Sequence, residues 1–300
     1  MVDAGDLLFK KFLNPVPENE LKKLTEKAHL IVEAFNRMAY DAFGIGDDDL
    51  TPGKEFLLEV SKKAHFPFLS SNISDEATEK PLFQPYLIKE VGGLRIGIFS
   101  LLSPDFFISP SDPRRKGIMV RSPVDTARNM VKDLQPKTDL IVLLSHLGYP
   151  KDMELAQAVP GIHLIVGSHT GLNLVYPHVV KNTIILHTAS KGMYAGKLDL
   201  TLANVEAGFY NVATRRSLEA SLNSLKSRLS SSQTPEPEKV HLQKSKEDIE
   251  RNLKQLEDKN GFTNAMLPLT ENMKDDPEIL KRVDHYLSKY PEAPKPNTPK

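Results

Sequence analysis

Four residues whose types suit metal chemistry stand at the ends of apolar runs. They are Asp6 in VDAGDLLF (2–9), Asp47 in YDAFGIGDDDL (40–50), His146 in VLLSHLG (142–148) and His169 in LIVGSHTGL (164–172). A fifth segment of the same build, FLSSNI (68–73), delivers Asn72. A buried strand that closes in small residues and then an acid, an amide or an imidazole brings that side chain to the edge of a sheet. Carboxylate oxygens and imidazole nitrogens gathered there form a donor set for a divalent cation. Each residue also has a plain structural reading. Asp6 after a glycine suits a turn or a helix cap. Asp47, Asp48 and Asp49 suit a solvated acidic turn capping a helix that starts near Thr51 and Pro52. His146 and His169 suit hydrogen-bonded residues at strand ends. The other seven histidines of the chain's nine match no ligand position.

The order and wording of these segments resemble the calcineurin-like metallophosphoesterase superfamily and, within it, the 5′-nucleotidase and UDP-sugar hydrolase family. Members carry in turn a DxH strand, a GD strand, a GNHE loop, an isolated His and a GHxH loop, which hold two metal ions over a phosphate ester. The likeness runs from about residue 2 to about residue 202. It includes FPFLSSNISDEATEKPLFQPYLIKEVGGLRIGIFSLLSP (66–104) and IILHTASKGMYAGKLDLTL (184–202). The chain departs from the pattern at three places. The DxH strand is absent, GNHE becomes Gly46, Asp47, Asp48 and Asp49, and GHxH becomes Val166, Gly167, Ser168 and His169.

Carried over position by position, the resemblance implies that Asp6 is the bridging carboxylate, Asp47 replaces the Asn ligand and His146 binds the same ion. The other ion keeps only Asp6 and His169, so the count suggests one divalent ion (Mn²⁺, Mg²⁺ or Zn²⁺) rather than two. Asp in place of Asn adds negative charge, which favours a hard cation such as Mn²⁺ or Mg²⁺. Asp48 takes the place of the family's catalytic His, with Asn72 beside it lining the phosphate site. A carboxylate serves as a general acid only if its pKa is raised, and a nearby cation works against that. The implied activity is hydrolysis of nucleotide or other phosphate esters by a metal-activated water. The alternative is a degenerate, non-catalytic phosphoesterase-fold module serving in binding or assembly. Relatives of this kind are periplasmic or extracellular.

Composition excludes several classes. The 300 residues are 40% hydrophobic, enough for a full α/β core. Lys+Arg and Asp+Glu are equal at 39 each, so no basic excess points to a nucleic-acid polymer. No apolar run is long enough for a membrane span. The absence of Cys removes disulfides, thiolate metal sites and cysteine nucleophiles. No signal peptide is recognisable at the N-terminus.

The elements that must position these residues alternate between strand and helix. Helical spacing appears over 18–40, 56–64 and 122–134, the last with Ser122 as cap and Pro123 at the first position. Strand runs appear over 94–102, 139–144, 162–166 and 183–187. The expected fold is α/β, a metallophosphoesterase-like two-sheet sandwich flanked by helices over 1–210. A coiled-coil-like helical hairpin is expected over 211–262, with Leu218, Leu222, Leu225 and Leu229 facing Leu242, Ile249, Leu253 and Leu256 across the Pro-containing turn SSSQTPEPEK. Two helices lying on the domain surface are an equal reading of the same spacing. A projecting hairpin would expose part of its Leu seam and offer a homodimer contact. A helix over 277–290 and a Pro-rich tether complete 263–300, and the tether suggests a further module downstream, of the haem-binding cytochrome type in some relatives.

Overall fold

The computed structural model describes residues 1–10, 16–205 and 207–291; the expected Pro-rich tether lies almost wholly outside them. In chain order the first half comprises β1 (Val2–Asp3), α1 (Glu18–Arg37), β2 (Ala42–Gly44), α2 (Lys54–Ser61), β3 (Phe68–Leu69), β4 (Ile73–Asp75), β5 (Tyr86–Val91), β6 (Leu94–Leu102), β7 (Ile118–Val120) and α3 (Pro123–Leu134). The second half comprises β8 (Leu140–His146), α4 (Tyr149–Ala158), β9 (Leu164–Gly167), β10 (His178–Val180), β11 (Thr183–His187), β12 (Tyr194–Thr201), β13 (Phe209–Asn211), α5 (Val212–Ser230), α6 (Glu236–Lys254), β14 (Asn260–Pro268) and α7 (Pro277–Lys289).

The main sheet has the order β10-β11-β9-β8-β6-β5, with parallel pairing from β11 through β6. Its central strand, LIVLLSH, is buried along its whole length, and successive side chains serve two cores. Leu140, Val142 and Leu144 face inward with Ala4, Ala42 and Leu69 of the small parallel sheet β1-β2-β3. Ile141 and Leu143 face outward against α3 and α4 through Ala127, Leu134 and Leu155. A third core packs α1 and α2 on the other side of the small sheet, through Ala28, Val32, Leu57 and Phe43. The layers therefore run helix, sheet, sheet, helix, which is the expected sandwich. Period-two alternation also fixes the last two residues of β8. Ser145 points towards α4, and His146 points between the sheets.

The final third differs from the expected division. Residues 260–268 form β14, which pairs antiparallel with β12 over Tyr194–Thr201 and parallel with β13. Phe262 of this strand is 1% exposed and belongs to the inter-sheet core together with Phe209. The α5–α6 hairpin is thus an excursion between two neighbouring strands, and the boundary at 262 falls inside one of them. Leu222 and Leu242 are buried within the hairpin, and its charges pair along it, as in Lys246–Glu250 at 3.3 Å. The other seam residues, Leu218, Leu225, Leu229, Ile249, Leu253 and Leu256, are half-buried. The last helix, α7, packs on α1 through Lys289–Glu26 at 3.0 Å and Arg37–Asp276 at 2.9 Å.

Candidate metal centre

All four donors lie just beyond the carboxyl ends of parallel strands. Asp6 follows β1, Asp47 follows β2, His146 ends β8 and His169 follows β9. Two glycines let the first two loops touch. A Cβ on Gly5 would stand 2.5 Å from the Gly46 nitrogen, and one on Gly46 would stand 2.3 Å from Asp6 Oδ1. Asp6 and His169 both adopt left-handed backbone, with φ of 61° and 71°, a conformation non-glycine residues seldom take and which concentrates at functional sites.

One ligand atom from each of Asp6, Asp47, His146 and His169 lies within 4.8 Å of all the others. His146 Nε2 is 3.1 Å from Asp47 Oδ1 and 3.2 Å from Asp6 Oδ2. His169 Nδ1 is 3.2 Å from His146 Nε2 and 3.4 Å from Asp47 Oδ1. Ligands held about 2.1 Å from a tetrahedral ion lie roughly 3.4 Å apart, so this spacing matches a shell around one cation. Two imidazoles and two carboxylates are also donors that a divalent ion accepts, so the residues fit the group the sequence implies. Asp47 and His146 are buried, whereas the side chains of His169 and Asp6 are 29% and 24% exposed. The centre therefore opens to solvent on one side.

The ring of His146 is oriented from behind. Its Nδ1 lies 2.9 Å from the Ala4 carbonyl and 2.7 Å from Ser168 Oγ. A proton on Nδ1 donated to that carbonyl leaves Nε2 facing the carboxylates. Ser168, at the x position of GHxH, serves this backing contact. Burial would hold His146 neutral, but Asp47 and Asp6 outweigh it and push the imidazole up to about 10. Asp47 is held well below the ordinary carboxylate range; burial opposes this, and His146, His169 and Arg114 prevail.

The three acids after Gly46 are not a solvated cap. Asp48–Leu50 is a short 3-10 turn, and α2 starts later, after Gly53, with no side-chain capping bond. Asp49 is fully buried and accepts the backbone N–H groups of Asp6, Leu8 and Gly46, each at 2.9 Å, which ties the two ligand loops together. Asp48 stands beside the centre, its backbone N–H donating to Asp6 Oδ1 at 2.9 Å and its Oδ1 accepting from Arg114 at 2.7 Å. Burial, with Asp6 and Asp47 adding like charge, pushes Asp48 up to about 6 against the pull of Arg114. Asn72 departs from expectation. Its side chain is 1% exposed and bonds the backbone of Leu102 twice, at 2.8 and 3.0 Å, and of Arg121 once, at 3.0 Å. Both amide protons are spent on structure, so Asn72 joins the end of β6 to the residue after β7 and keeps no free donor for a ligand.

Three features of the site carry no signal in the sequence. Arg114, in a turn between β6 and β7, reaches the acids from a segment without periodicity. Phe106 lies flat on His169, with centroids 3.4 Å apart and planes 9° from parallel. Behind the sheet, Asp152 of α4 accepts from Ser145 Oγ and lies 2.7 Å from His187 Nε2, wholly out of solvent. A Cβ on Gly167 would stand 2.1 Å from that imidazole, so the pair fills the space a side chain at the end of β9 would need.

No family profile matches the chain. It is 29% identical to the 5′-nucleotidase of Vibrio cholerae over 64% of its own length and 39% of that protein. It is 31% identical to the metallophosphoesterase YunD of Bacillus subtilis over 58% of its length and 38% of that protein. The chain thus spans about two fifths of these relatives. Among solved structures, the 5′-nucleotidase precursor of Thermus thermophilus superposes with a TM-score of 0.63 at 22% identity, over 96% of this chain and 49% of that one. That likeness is one of fold.

Proposed function

Because the chain belongs to the 5′-nucleotidase family of calcineurin-like metallophosphoesterases, we propose that it is a metal-dependent phosphoesterase of the 5′-nucleotidase type acting on nucleotide phosphate esters. The observation that carries this reading is the convergence of Asp6, Asp47, His146 and His169 to ligand spacing from four separate segments. A divalent ion held there would supply Lewis acidity, activating water and neutralising charge that develops on the phosphoryl group. The chain's own residues prepare the position. The Ala4 carbonyl and Ser168 orient His146, Phe106 fixes the plane of His169, and Asp49 fixes both carboxylate loops. Asp48, at the rim, would hold or deliver the proton of the departing alcohol. No helix among the described residues is long and apolar enough to cross a membrane. A periplasmic or extracellular setting is part of the same proposal.

The non-catalytic alternative draws support from the hold of Arg114 on Asp48. Purified chain incubated with Mn²⁺ separates the two readings. Bound metal together with phosphate release from AMP, or cleavage of bis-p-nitrophenyl phosphate, is expected of the enzyme. Bound metal without turnover would favour the binding module, and no bound metal would remove the metal centre.

A further inference from the structure

Next to the four-donor centre lies a group of oxygens that faces a guanidinium instead of histidines. Arg114 is 5% exposed, and all five of its N–H donors are engaged. Nη1 meets Asp47 Oδ2 at 2.5 Å and Asp48 Oδ1 at 2.7 Å. Nε meets Asp112 Oδ1 at 3.1 Å, and Nη2 meets Asp112 Oδ2 at 2.8 Å and the Phe106 carbonyl at 3.0 Å. With every donor committed, Arg114 has none to turn towards a substrate phosphate. What surrounds it is an all-oxygen cage of three carboxylates and a carbonyl, the donor type that hard divalent cations take. The cage shares Asp47 with the centre, whose Oδ1 faces the histidines while its Oδ2 faces Arg114.

We infer that Arg114 is the resident cation of this second, oxygen-lined position, and that by filling it the side chain limits the site to one divalent ion and allows Asp47 a single oxygen towards it. The inference rests on the metal-centre reading for the first ion, whereas the cage stands on its own contacts. Arg114 is a positioning residue, acting through Asp47 and Asp48. Two carboxylates that replace Asn and His of the GNHE pattern would otherwise repel one another at the rim. The guanidinium supplies the positive charge that lets both be buried there.

Metal stoichiometry tests this directly. The intact chain and its R114M and R114K variants are titrated with Mn²⁺ by calorimetry and elemental analysis, and their melting is followed in MgCl₂ against KCl of equal ionic strength. R114M keeps the bulk of the side chain and loses its charge. It should rise from one bound ion to two, and Mg²⁺ alone should raise its melting temperature by several degrees more than it does for the unaltered chain. R114K, which keeps the charge, should stay at one. Two ions on the unaltered chain would overturn the inference, as would one ion on R114M with an unchanged Mg²⁺ response. If the unaltered chain binds no Mn²⁺, the four-donor centre falls, while the Mg²⁺ response of R114M still decides the cage. Should R114M fail to fold in either salt, the unaltered chain decides the matter, one bound ion supporting the inference and two overturning it.

Discussion

Asp49→Ala tests the idea that one buried carboxylate assembles both ligand loops. Asp49 Oδ2 accepts from the N–H groups of Asp6 and Gly46, and Oδ1 accepts from that of Leu8, all at 2.9 Å. Burial, with Asp6 adding like charge, pushes Asp49 up to about 8, so its three bonds count as neutral ones of about 0.5–1.5 kcal/mol net each, and every N–H left buried without a partner adds about 1–3 kcal/mol. The expected loss is therefore about 3–5 kcal/mol, a large share of a typical total of roughly 5–15. Asp49→Asn should lose about 2 kcal/mol, because its amide would put N–H groups against the Leu8 N–H while its oxygen still serves Asp6 and Gly46. Urea unfolding of the three proteins gives the order, with an unchanged denaturant slope expected if only the native state is affected. Amide exchange adds a local readout, since Asp6 and Gly46 should lose protection first. An Asp49→Ala protein within about 1 kcal/mol of the unaltered chain would refute the assembling role of this carboxylate.

Three further outcomes follow from particular contacts. Burial pushes Asp3 up to about 6, so between pH 4 and 6 the folded chain keeps a proton that the unfolded chain has released. Stability from this group therefore falls as pH rises through that window, by about 2–3 kcal/mol in all. Asp3→Asn keeps the acceptor for the Gly5 N–H at 2.9 Å and should be the more stable protein in denaturation at pH 8, with parity below pH 4; equal stability at pH 8 would count against it. Asp152→Ala strands the buried His187 imidazole and should cost about 3–5 kcal/mol in urea unfolding, and a loss under about 1 kcal/mol would show that water repairs the gap. Leu222→Asp places a charge at a buried position of the hairpin seam and should remove the helical circular-dichroism signal of α5 and α6 while the sandwich still unfolds cooperatively. Because the hairpin is an excursion between β13 and β14, a disordered loop can replace it at modest closure cost.

The sandwich was legible because its strands and helices have different periods. LIVLLSH and LRIGIFSLL read as buried strands, and Ser122–Pro123 marks the start of α3, where Ser122 Oγ accepts the Asp125 N–H at 3.4 Å. β14 was not legible. NGFTNAMLP opens on Asn-Gly, buries only its first three residues and then alternates weakly along an exposed ribbon, so no clean period marks it as a strand. Its pairing is decided by β12, about 60 residues earlier in the chain. α4 was hidden in the same way, since YPKDMELAQA is short and its inward face is spent partly on the polar Asp152.

The candidate site shows a sharper limit of local reading. Asp47, Asp48 and Asp49 occur consecutively, and in sequence they read either as a solvated acidic turn or as a GNHE loop in which Asp47 replaces the Asn ligand and Asp48 the catalytic His. Folding gives each a different counterpart. Asp47 is shared between the histidines and Arg114, Asp48 lies between Arg114 and the Asp6 loop, and Asp49 takes three backbone N–H groups. The cation that makes two of these acids tolerable enters 66 and 67 residues later in the chain, from a turn whose Pro, Ser and Arg content carries no periodic signal. An acid that replaces Asn or His at a metal site therefore cannot be judged from the motif alone. What decides its effect is the net charge of the shell around it, and here a guanidinium with five committed donors supplies the balancing charge.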